Sequence, residues 1–373
     1  METIIVIGAG IAGASTAYHL SKYGADVILA DREEPGQATG AAAGIVCPWL
    51  SQRRNKAWYL LAKNGARYYP ELISQLEADG ETETGYAKTG AISLHSEEKK
   101  IMKMEEMAIK RKADAPEIGE ISRLSPFETS ALFPGLSDHF YGLHVTGGAK
   151  VDGGKICSAL IQAAVRNGAS YLTGDARLLF TDHQVTGAVI GGETIRAEKV
   201  IVCAGAWASQ LLAPLGIRFN VTFQKAQIVH LEHTEKKTDN WPVLLPPGTQ
   251  YLVPFSNGRI AAGTTHEDTL SFEPGPTAAG IHEVLGKVME TAPGLKNSQF
   301  AEAKYGYRPF TEGFLPVFGE LPGWRGLFAV NGLGSSGLTM GPYIGAELAK
   351  LTLGMDSDLD LGPYSPAITI ESY

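Results

Sequence analysis

The hydrophobic pattern of the chain begins with a β-branched run at residues 4–7, Ile-Ile-Val-Ile, that ends at a cluster of glycines. A continuous apolar run of this kind is typical of a strand buried on both faces of a parallel sheet. Helical spacing follows, with Leu20 on the apolar face and Gly24 at the expected C-terminal cap. A second apolar run then ends at Asp31. The pattern predicts a strand–helix–strand unit at the start of the chain.

Strand and helix patterns alternate again further along the chain. Residues 151–172 have the spacing of a helix that feeds a strand, whereas residues 197–209 and 326–354 begin with a strand and continue through glycines into a helix. Since proline is tolerated only in the first turn of a helix, Pro342 predicts that the last of these helices begins near Gly341.

Two other segments have patterns of their own. Residues 250–265 predict a β-hairpin, because Asn257-Gly258 between two strand-like runs favours a type I′ turn. Residues 95–116 mix charges of both signs with apolar positions, which predicts a solvated amphipathic helix. A role at a membrane surface is the alternative for that helix.

Composition and charge exclude several classes of protein. A chain of 373 residues is long enough for one or two domains, and 44% hydrophobic with 19% charged residues is ordinary for a globular protein. The net charge of −8 argues against a nucleic-acid partner, because a phosphate backbone attracts a basic face. No apolar run approaches the ~20 residues of a membrane-spanning helix. We expect a small-molecule partner.

The cysteines indicate the compartment. Cys47, Cys157 and Cys203 are too few and too scattered for a disulfide framework, and they lack metal-ligand spacing, so no metal site is expected. A reducing cytoplasm is the simplest interpretation, since the first apolar stretch also lacks the basic region of a secretion signal. The sequence predicts a cytoplasmic protein with no integral membrane segment.

Gly8, Gly10 and Gly13 form the spacing G-x-G-x-x-G directly after the first predicted strand. In a dinucleotide-binding unit the first glycine makes a tight turn, the second admits a pyrophosphate, and the third lets the helix pack on the sheet. A carboxylate at Asp31 would bind ribose hydroxyls. A glycine-rich turn without a ligand is the alternative. The motif predicts a dinucleotide site but does not choose between NAD and FAD.

The rest of the chain distinguishes FAD from NAD. Residues 37–50 form a small-residue loop that is poor in charge, which suits a backbone lying flat against a planar ligand, although a surface loop is the alternative. Three strand-to-helix junctions far apart in the sequence are all rich in glycine. One extended ligand that contacts all three explains them and indicates FAD, whereas an NAD-dependent enzyme leaves the C-terminal glycine loop unexplained.

Six blocks in order resemble the FAD-dependent D-amino-acid oxidase superfamily, most of all bacterial glycine oxidase, sarcosine oxidase and the small-subunit type of D-amino-acid dehydrogenase. The blocks are the N-terminal glycine motif with Asp31, ATGAAAGI, VIVCAGAWASQLLAPLG, YLVPFSNGRIAAGTTHED, YGYRPFTEGFLPVFG and NGLGSSGLTMGPYIG. The resemblance covers almost the whole chain. It implies an α/β FAD-binding domain, Rossmann-like and of glutathione-reductase type, with an inserted α+β substrate domain that contains an antiparallel sheet.

The resemblance divides the chain into two discontinuous domains. The FAD-binding domain is expected at residues 1–75, 141–218 and 302–373, and the substrate-binding domain at residues 76–140 and 219–301. The residues expected to bind FAD lie in the glycine motif, the small-residue loop and the later junctions, and they are Gly8, Gly10, Ile11, Ala12, Gly13, Asp31, Arg32, Thr39, Ala42, Ala43, Gly44, Arg177, Ala204, Gly205, Gly334, Ser335, Ser336, Gly337, Leu338 and Thr339.

The cysteine positions also bear on how FAD is held. Sarcosine oxidases of this superfamily attach FAD to a cysteine in their C-terminal part, and no cysteine of this chain lies beyond Cys203. We therefore expect non-covalent FAD. Cys47 falls inside the small-residue loop, where it is expected to be a buried inert thiol, with a position near the flavin as the alternative.

Arg308, in the block GYRPF, is the residue expected to bind the substrate carboxylate, since a planar guanidinium gives two charge-assisted hydrogen bonds. The superfamily has its carboxylate-binding arginine at this position; a structural salt bridge is the alternative. Tyr251 matches the superfamily tyrosine that adds a hydroxyl bond to the same carboxylate, with simple packing as its alternative. We expect His230, His233 and His266 to be exposed or hydrogen-bonded side chains outside the chemistry.

The resemblance implies the oxidation of glycine or of a small D- or N-methyl amino acid to the imino acid, with dioxygen reduced to hydrogen peroxide. The terminal loop GLGSSG lacks the second arginine that glycine oxidase carries there, which argues against strict glycine specificity. Two alternatives stay open: a D-amino-acid dehydrogenase that passes electrons to a quinone or a protein, and a non-catalytic flavin-binding subunit of a hetero-oligomer. The expected partners are the amino acid and dioxygen, and the superfamily implies a homo-oligomer.

Overall fold

The computed structural model describes residues 2–357 and 359–370. Within these residues the strands, in chain order, are β1 (Thr3–Ile7), β2 (Asp26–Asp31), β3 (Ile45–Val46), β4 (Ala91–His95), β5 (Ile121–Leu124), β6 (Tyr141–Val145), β7 (Ala149–Lys150), β8 (Ser170–Thr173), β9 (Ala176–Thr181), β10 (Gln184–Ile190), β11 (Glu193–Arg196), β12 (Lys199–Val202), β13 (Thr222–Glu232), β14 (Val243–Leu245), β15 (Tyr251–Pro254), β16 (Arg259–Gly263), β17 (Glu267–Asp268), β18 (Gln299–Phe310), β19 (Val317–Glu320) and β20 (Leu327–Asn331).

The helices alternate with these strands. The α-helices are α1 (Ile11–Lys22), α2 (Lys56–Ala78), α3 (Glu98–Lys112), α4 (Pro126–Leu132), α5 (Gly153–Arg166), α6 (Ala208–Leu212), α7 (Ala278–Thr291) and α8 (Gly337–Thr352). Short 3-10 helices lie at Pro48–Leu50, Pro116–Ile118, Gly205–Trp207, Ala213–Leu215, Ser256–Gly258, Pro293–Asn297, Glu312–Phe314, Gly334–Ser336, Gly362–Tyr364 and Pro366–Thr369.

The β-branched run at the N-terminus forms the inner strand β1 of a six-stranded sheet with the order β19-β20-β12-β1-β2-β8. The pairs β12–β20, β12–β1, β1–β2 and β2–β8 are parallel, and only the edge pair β19–β20 is antiparallel. Ile4 and Val6 belong to the core on the side of α1, α5 and α8, whereas Ile5 and Ile7 belong to the core shared with β9 and β10. Burial on both faces explains why the run is continuously apolar.

The last helix begins four residues earlier than the sequence predicts. It starts at Gly337, so Pro342 lies inside it and not in its first turn. The missing N–H of a proline leaves the carbonyl four residues before it without a helical donor, and here that carbonyl, Leu338 O, accepts from the hydroxyl of Tyr69 on α2. Ser15 of α1 in turn donates to the Pro342 carbonyl at 2.7 Å. Contacts from two neighbouring helices therefore stabilise a proline that the local sequence would exclude.

The second large sheet has the path β17-β13-β16-β15-β14-β4-β6-β5, with β18 pairing along β13. Its pairs are antiparallel except for β14–β4. The predicted hairpin is β15–β16: Asn257 and Gly258 both have positive φ, at 63° and 79°, and the Arg259 N–H bonds the Ser256 carbonyl. Positive φ at both central residues is the geometry of a type I′ turn, so the hairpin prediction is confirmed. The two sheets together give the predicted fold class, an α/β nucleotide-binding unit combined with an antiparallel sheet.

The predicted domain boundaries stay a prediction, and the pairing of two strands departs from them. β6 pairs with β4 and β5 in the large sheet, although residues 141–218 were expected in the FAD-binding domain. Most of β18 pairs with β13 in the same sheet, although residues from 302 onward were expected in that domain. Met1, Asp358 and residues 371–373 of the predicted ranges lie outside the described residues.

The charged stretch forms α3, in which Ile101 and Ala108 are buried and most other side chains are exposed or half-buried. Among residues 2–357 and 359–370, every helix is too short or too polar to cross a membrane.

Candidate active site

A cavity of about 1420 Å³ lies between the two sheets and extends from the N-terminal glycine turn to Arg308 on β18. Pockets for drug-sized ligands usually measure about 300–1,000 Å³. The cavity is therefore large enough for a dinucleotide together with a small substrate.

The N-terminal glycines shape one end of this cavity. Gly8 has φ +104°, and a Cβ there would lie 2.4 Å from the Cys203 carbonyl oxygen. A Cβ on Gly13 would lie 1.8 Å from the Gly8 oxygen, so this glycine lets α1 pack on the turn; it does not line the cavity. A Cβ on Gly10 would meet only the Thr39 hydroxyl, at 3.3 Å, and Gly10 does line the cavity. Backbone at Gly10 can thus be approached closely by a ligand.

Two helix N-termini point their amides at the cavity. The N-cap residues of α1 and α8, Gly10 and Ser336, form no side-chain capping bond with the described residues, and the first residues of both helices line the cavity. The first amides of a helix have no partner inside the helix and carry partial positive charge. Thr39 accepts one of them, the Ile11 N–H, at 3.0 Å. The others suit a pyrophosphate and an electron-rich ring edge.

Asp31, at the end of β2, is buried and lines the same end of the cavity. Its Oδ2 accepts from the Ala9 N–H at 2.5 Å, and its Oδ1 accepts from the Glu33 N–H at 2.6 Å and from Gln37 Nε2 at 2.7 Å. These bonds fix the carboxylate without using every lone pair, because each oxygen can accept two. It can therefore still accept from a ribose hydroxyl.

Charges at this end of the cavity are paired. Arg32 forms ion pairs with Glu34 at 2.9 Å and with Asp175 at 3.1 Å, and its guanidinium lies 5.8 Å from the centre of the Trp207 ring. Arg177, on β9, lines the cavity close to Asp175 in the chain. The charge of Arg32 is thus compensated beside Asp31, which suits an uncharged nucleoside there.

Apart from Gly13, every residue expected to bind the cofactor lies on the cavity wall. They are Gly8, Gly10, Ile11, Ala12, Asp31, Arg32, Thr39, Ala42, Ala43, Gly44, Arg177, Ala204, Gly205, Gly334, Ser335, Ser336, Gly337, Leu338 and Thr339. Segments far apart in the sequence thus meet along one cavity, as a single extended ligand requires. These residues fit FAD.

Arg308 and Tyr251 lie on the same wall, on different strands of the large sheet. Arg308 Nη2 donates to the Thr264 hydroxyl at 3.2 Å, and its Nη1 lies 3.3 Å from His266 Nε2. No carboxylate pairs with this guanidinium anywhere in residues 2–357 and 359–370. The alternative of a structural salt bridge therefore finds no partner among these residues.

The Tyr251 hydroxyl lies beside this guanidinium. Tyr251 pairs with Gly263 across the hairpin, and a Cβ on Gly263 would lie 2.4 Å from the Tyr251 oxygen, so the glycine makes room for the ring. Burial raises the pKa of Tyr251, an effect that the Arg308 charge only partly opposes. The phenol therefore stays protonated at neutral pH and can donate a hydrogen bond.

Of the three histidines, only His230 differs from the prediction that each is exposed or hydrogen-bonded. His266 is exposed, as expected, yet its ring contacts Arg308, and burial followed by the Arg308 charge lowers its pKa. His230 is buried with both ring nitrogens unpartnered among the described residues, so it is not a hydrogen-bonded side chain, and burial lowers its pKa to about 4. His233 accepts from the Glu235 N–H at 3.1 Å. The hairpin register could have identified His266, since Gly263 lies opposite Tyr251 and His266 follows three residues later.

Cys47 is buried, as expected, and lies on the cavity wall; a position near the flavin stays a prediction. Burial raises the pKa of the thiol to about 12. A neutral thiol is a poor nucleophile and metal ligand, so Cys47 is inert at neutral pH.

The chain as a whole is similar to known oxidoreductases. Residues 3–351 match the family described as FAD dependent oxidoreductase, DAO. The chain is 57% identical to the uncharacterized oxidoreductase YurR of Bacillus subtilis (strain 168), over 98% of this chain and 99% of that protein. It is 28% identical to glycine oxidase of Pseudomonas aeruginosa PAO1, over 98% and 99% of the two chains.

A solved structure shares both fold and sequence with this protein. Iminodiacetate oxidase (IdaA) from Chelativorans sp. BNC1 is 41% identical, with a TM-score of 0.94 over 97% of this chain and 98% of that chain. The family match spans nearly all the described strands and helices, including the glycine turn, Asp31 and Arg308. The protein binds FAD and belongs to the DAO family of FAD-dependent oxidoreductases.

Proposed function

We propose that the protein oxidises the Cα–N bond of a small amino acid, releasing an imino acid that water hydrolyses, with dioxygen reduced to hydrogen peroxide. The observation that carries this proposal is the unpaired guanidinium of Arg308 on the wall of the cofactor cavity. An unpaired charge in such a half-buried position is costly unless a ligand supplies the counter-ion. A substrate carboxylate is an anion of the right shape for it.

Two side chains bind the substrate in this proposal, and a third positions one of them. Arg308 holds the carboxylate through its planar fork, and the hydroxyl of Thr264, directly after β16, accepts from Nη2 of that guanidinium at 3.2 Å. The Tyr251 hydroxyl adds one hydrogen bond to the same carboxylate. Fixing the carboxylate at two points sets the direction of the Cα–H bond, which is the entropic part of the barrier that a protein can remove. FAD, when bound, supplies the two-electron acceptor.

His266 stays neutral beside this carboxylate site. A guanidinium has donors only, so His266 Nε2 must accept from Arg308, and the ring carries its proton on Nδ1. The lowered pKa of His266 is consistent with that form at neutral pH. The histidine thus aligns Arg308 without adding a competing positive charge.

The named relatives support an amino-acid substrate and leave its identity open. Similar proteins are named for the oxidation of glycine and of iminodiacetate. Both compounds carry a carboxylate one carbon from the nitrogen, which is the element that Arg308 and Tyr251 would recognise. A dehydrogenase that passes its electrons to another acceptor is the second candidate, because sarcosine dehydrogenase of Mus musculus is also similar, at 26% identity over 40% of that protein.

Anaerobic mixing of the holoenzyme with candidate amino acids tests the proposal. Glycine, sarcosine, D-alanine, D-proline and iminodiacetate are added separately while the visible flavin absorbance is followed, and air is then admitted. Bleaching followed by recovery with one peroxide per substrate supports an oxidase. Bleaching with slow recovery and little peroxide favours the dehydrogenase, and a flavin that none of these amines bleaches contradicts the proposal.

A further inference from the structure

The cavity wall is divided by charge. Its carboxylates, among the described residues, are Asp31, Glu34 and Asp175, which lie at the end where the glycine turn and Arg32 are found. The charged side chains on the rest of the wall are all cationic, and they are Arg53, Lys100, Lys103 and Arg308. This separation occurs in a chain whose net charge is −8. A cationic surface of this kind attracts substrates with more negative charge than a neutral amino acid has.

Arg53 is the anchored member of this group besides Arg308. Its backbone N–H donates to the Ser51 hydroxyl at 3.2 Å, and its guanidinium lies 4.8 Å from the centre of the Trp58 ring. Arg53 Nη2 approaches the hydroxyl of Ser335 at 3.4 Å. Lys100 and Lys103 are exposed side chains on α3. Arg53 is exposed too, but it differs from them in its contacts with Trp58 and Ser335.

The segment that carries Arg53 is itself fixed. Arg111 of α3 donates to the Trp49 carbonyl at 2.5 Å and to the Ser51 carbonyl at 2.7 Å. The guanidinium of Arg53 has no carboxylate partner in the described parts of the chain. It is therefore held on the cavity wall without a carboxylate partner, as Arg308 is, although Arg53 is exposed and Arg308 is half-buried.

Arg53 also contacts the GLGSSG loop, which contains no arginine of its own. Through Ser335 the guanidinium of Arg53 reaches this loop from another part of the chain. Away from Arg32 and Arg177, the described part of the wall thus has two separate guanidinium groups, one on β18 and one beside the loop before α8. A substrate with a single carboxylate can neutralise only one of them.

We propose that Arg53 binds a second carboxylate, so that the substrate is an amino dicarboxylate whose first carboxylate binds Arg308. This inference rests on the proposed oxidation. For an N-carboxymethyl amino acid the balance is HN(CH₂COOH)₂ + O₂ + H₂O → OHC–COOH + H₂N–CH₂–COOH + H₂O₂. The Cα–H and N–H bonds of one arm break, two electrons pass through FAD to dioxygen, and water cleaves the resulting C=N bond.

Matched pairs of substrates test this proposal. Iminodiacetate differs from sarcosine by one carboxylate, and D-aspartate differs from D-alanine in the same way. We expect the wild-type holoenzyme to have a higher kcat/KM for a dicarboxylate than for its partner, and the pair that shows it tells whether the second carboxylate is attached through nitrogen or through carbon. In Arg53→Gln the ratio of kcat/KM within that pair should fall by about 10- to 100-fold, the usual weight of a charge-assisted hydrogen bond.

Arg54→Gln is the matched control, because Arg54 is the neighbouring exposed arginine and does not line the cavity. It should leave the ratio as in the wild type. A ratio that does not change in Arg53→Gln, or that changes equally in Arg54→Gln, overturns the proposal for Arg53.

Binding without turnover separates this inference from the proposed function. Thiodiacetate and methylthioacetate have the two shapes but no oxidisable amine, and isothermal titration calorimetry of the holoenzyme measures their affinities. Tighter binding of thiodiacetate that is lost in Arg53→Gln supports the second carboxylate site, even where no amine is oxidised. Equal affinities for the two compounds in the wild type overturn it, even where glycine or sarcosine is a good substrate.

Discussion

Arg308 Nη1, on β18, lies 3.3 Å from Nε2 of His266, which is in the connection between β16 and β17, and the guanidinium has no carboxylate partner in residues 2–357 and 359–370. Burial lowers the pKa of both groups. The neutral imidazole orients the guanidinium but does not neutralise it. The charge of Arg308 is thus available to an incoming anion.

Replacement of Arg308 should abolish carboxylate recognition but not cofactor binding. In Arg308→Gln two charge-assisted hydrogen bonds are lost at ~1.5–3 kcal/mol each, so kcat/KM should fall by roughly 10²–10⁴-fold, mainly through KM. Arg308→Lys should recover only part of this, because an ammonium cannot form the planar fork. Steady-state kinetics and the flavin-to-protein ratio measure the two effects. Normal kinetics in Arg308→Gln would contradict the assignment.

The bond between Tyr69 and the Leu338 carbonyl should stabilise the proline-containing helix α8. Tyr69→Phe leaves that buried carbonyl without a donor, which should lower the free energy of unfolding by ~1–3 kcal/mol. Pro342→Ala restores the helical N–H to the same carbonyl. The Tyr69→Phe change should therefore cost much less in a Pro342→Ala background, and urea unfolding of the four proteins measures this coupling. Additive effects would show that the two residues act independently.

The protein should lose stability as the pH is lowered, because His19 is neutral in the folded protein. Burial lowers the pKa of His19 from the ordinary value of 6.5 to about 4. The unfolded chain then binds a proton that the folded chain does not, so stability is full above pH 6.5 and is lost as the pH falls towards 4, by up to about 3 kcal/mol. His19→Gln should flatten this dependence in part, because His230 has a similarly lowered pKa.

His282 provides the control for that experiment, as an exposed histidine on α7. Thermal unfolding midpoints of the wild type, His19→Gln and His282→Gln are compared across this pH range. If His282→Gln flattens the profile as much as His19→Gln, the buried histidine is not its cause.

The flavin should be released by acid. Cys47, Cys157 and Cys203 lie along the FAD cavity or close to it, but burial raises the pKa of all three thiols, so none is a thiolate at neutral pH. Precipitation of the holoenzyme with trichloroacetic acid should leave the yellow colour in the supernatant. Colour that stays with the pellet would contradict non-covalent binding, and a Cys47→Ser variant would then test the cysteine on the cavity wall.

The sequence by itself determined the features that depend on local pattern. The N-terminal strand–helix–strand unit follows from a β-branched run, helical spacing and glycines that no other residue could replace, since a Cβ on Gly13 would lie 1.8 Å from the Gly8 oxygen. The hairpin at Asn257-Gly258 follows in the same way from two residues that accept positive φ. Arg308 was identified because its block resembles a known family.

The tertiary structure alone decided what depends on contacts between distant segments. The start of α8 at Gly337 depends on Tyr69 and Ser15, which lie on other helices and give no local signal. The assignment of β6 and β18 to the large sheet depends on strand pairing across long stretches of chain. The positions of Arg53 beside the terminal loop and of His266 beside Arg308 are likewise contacts between segments far apart in sequence, because hydrophobic periodicity specifies which face of an element is buried but not which other element covers it.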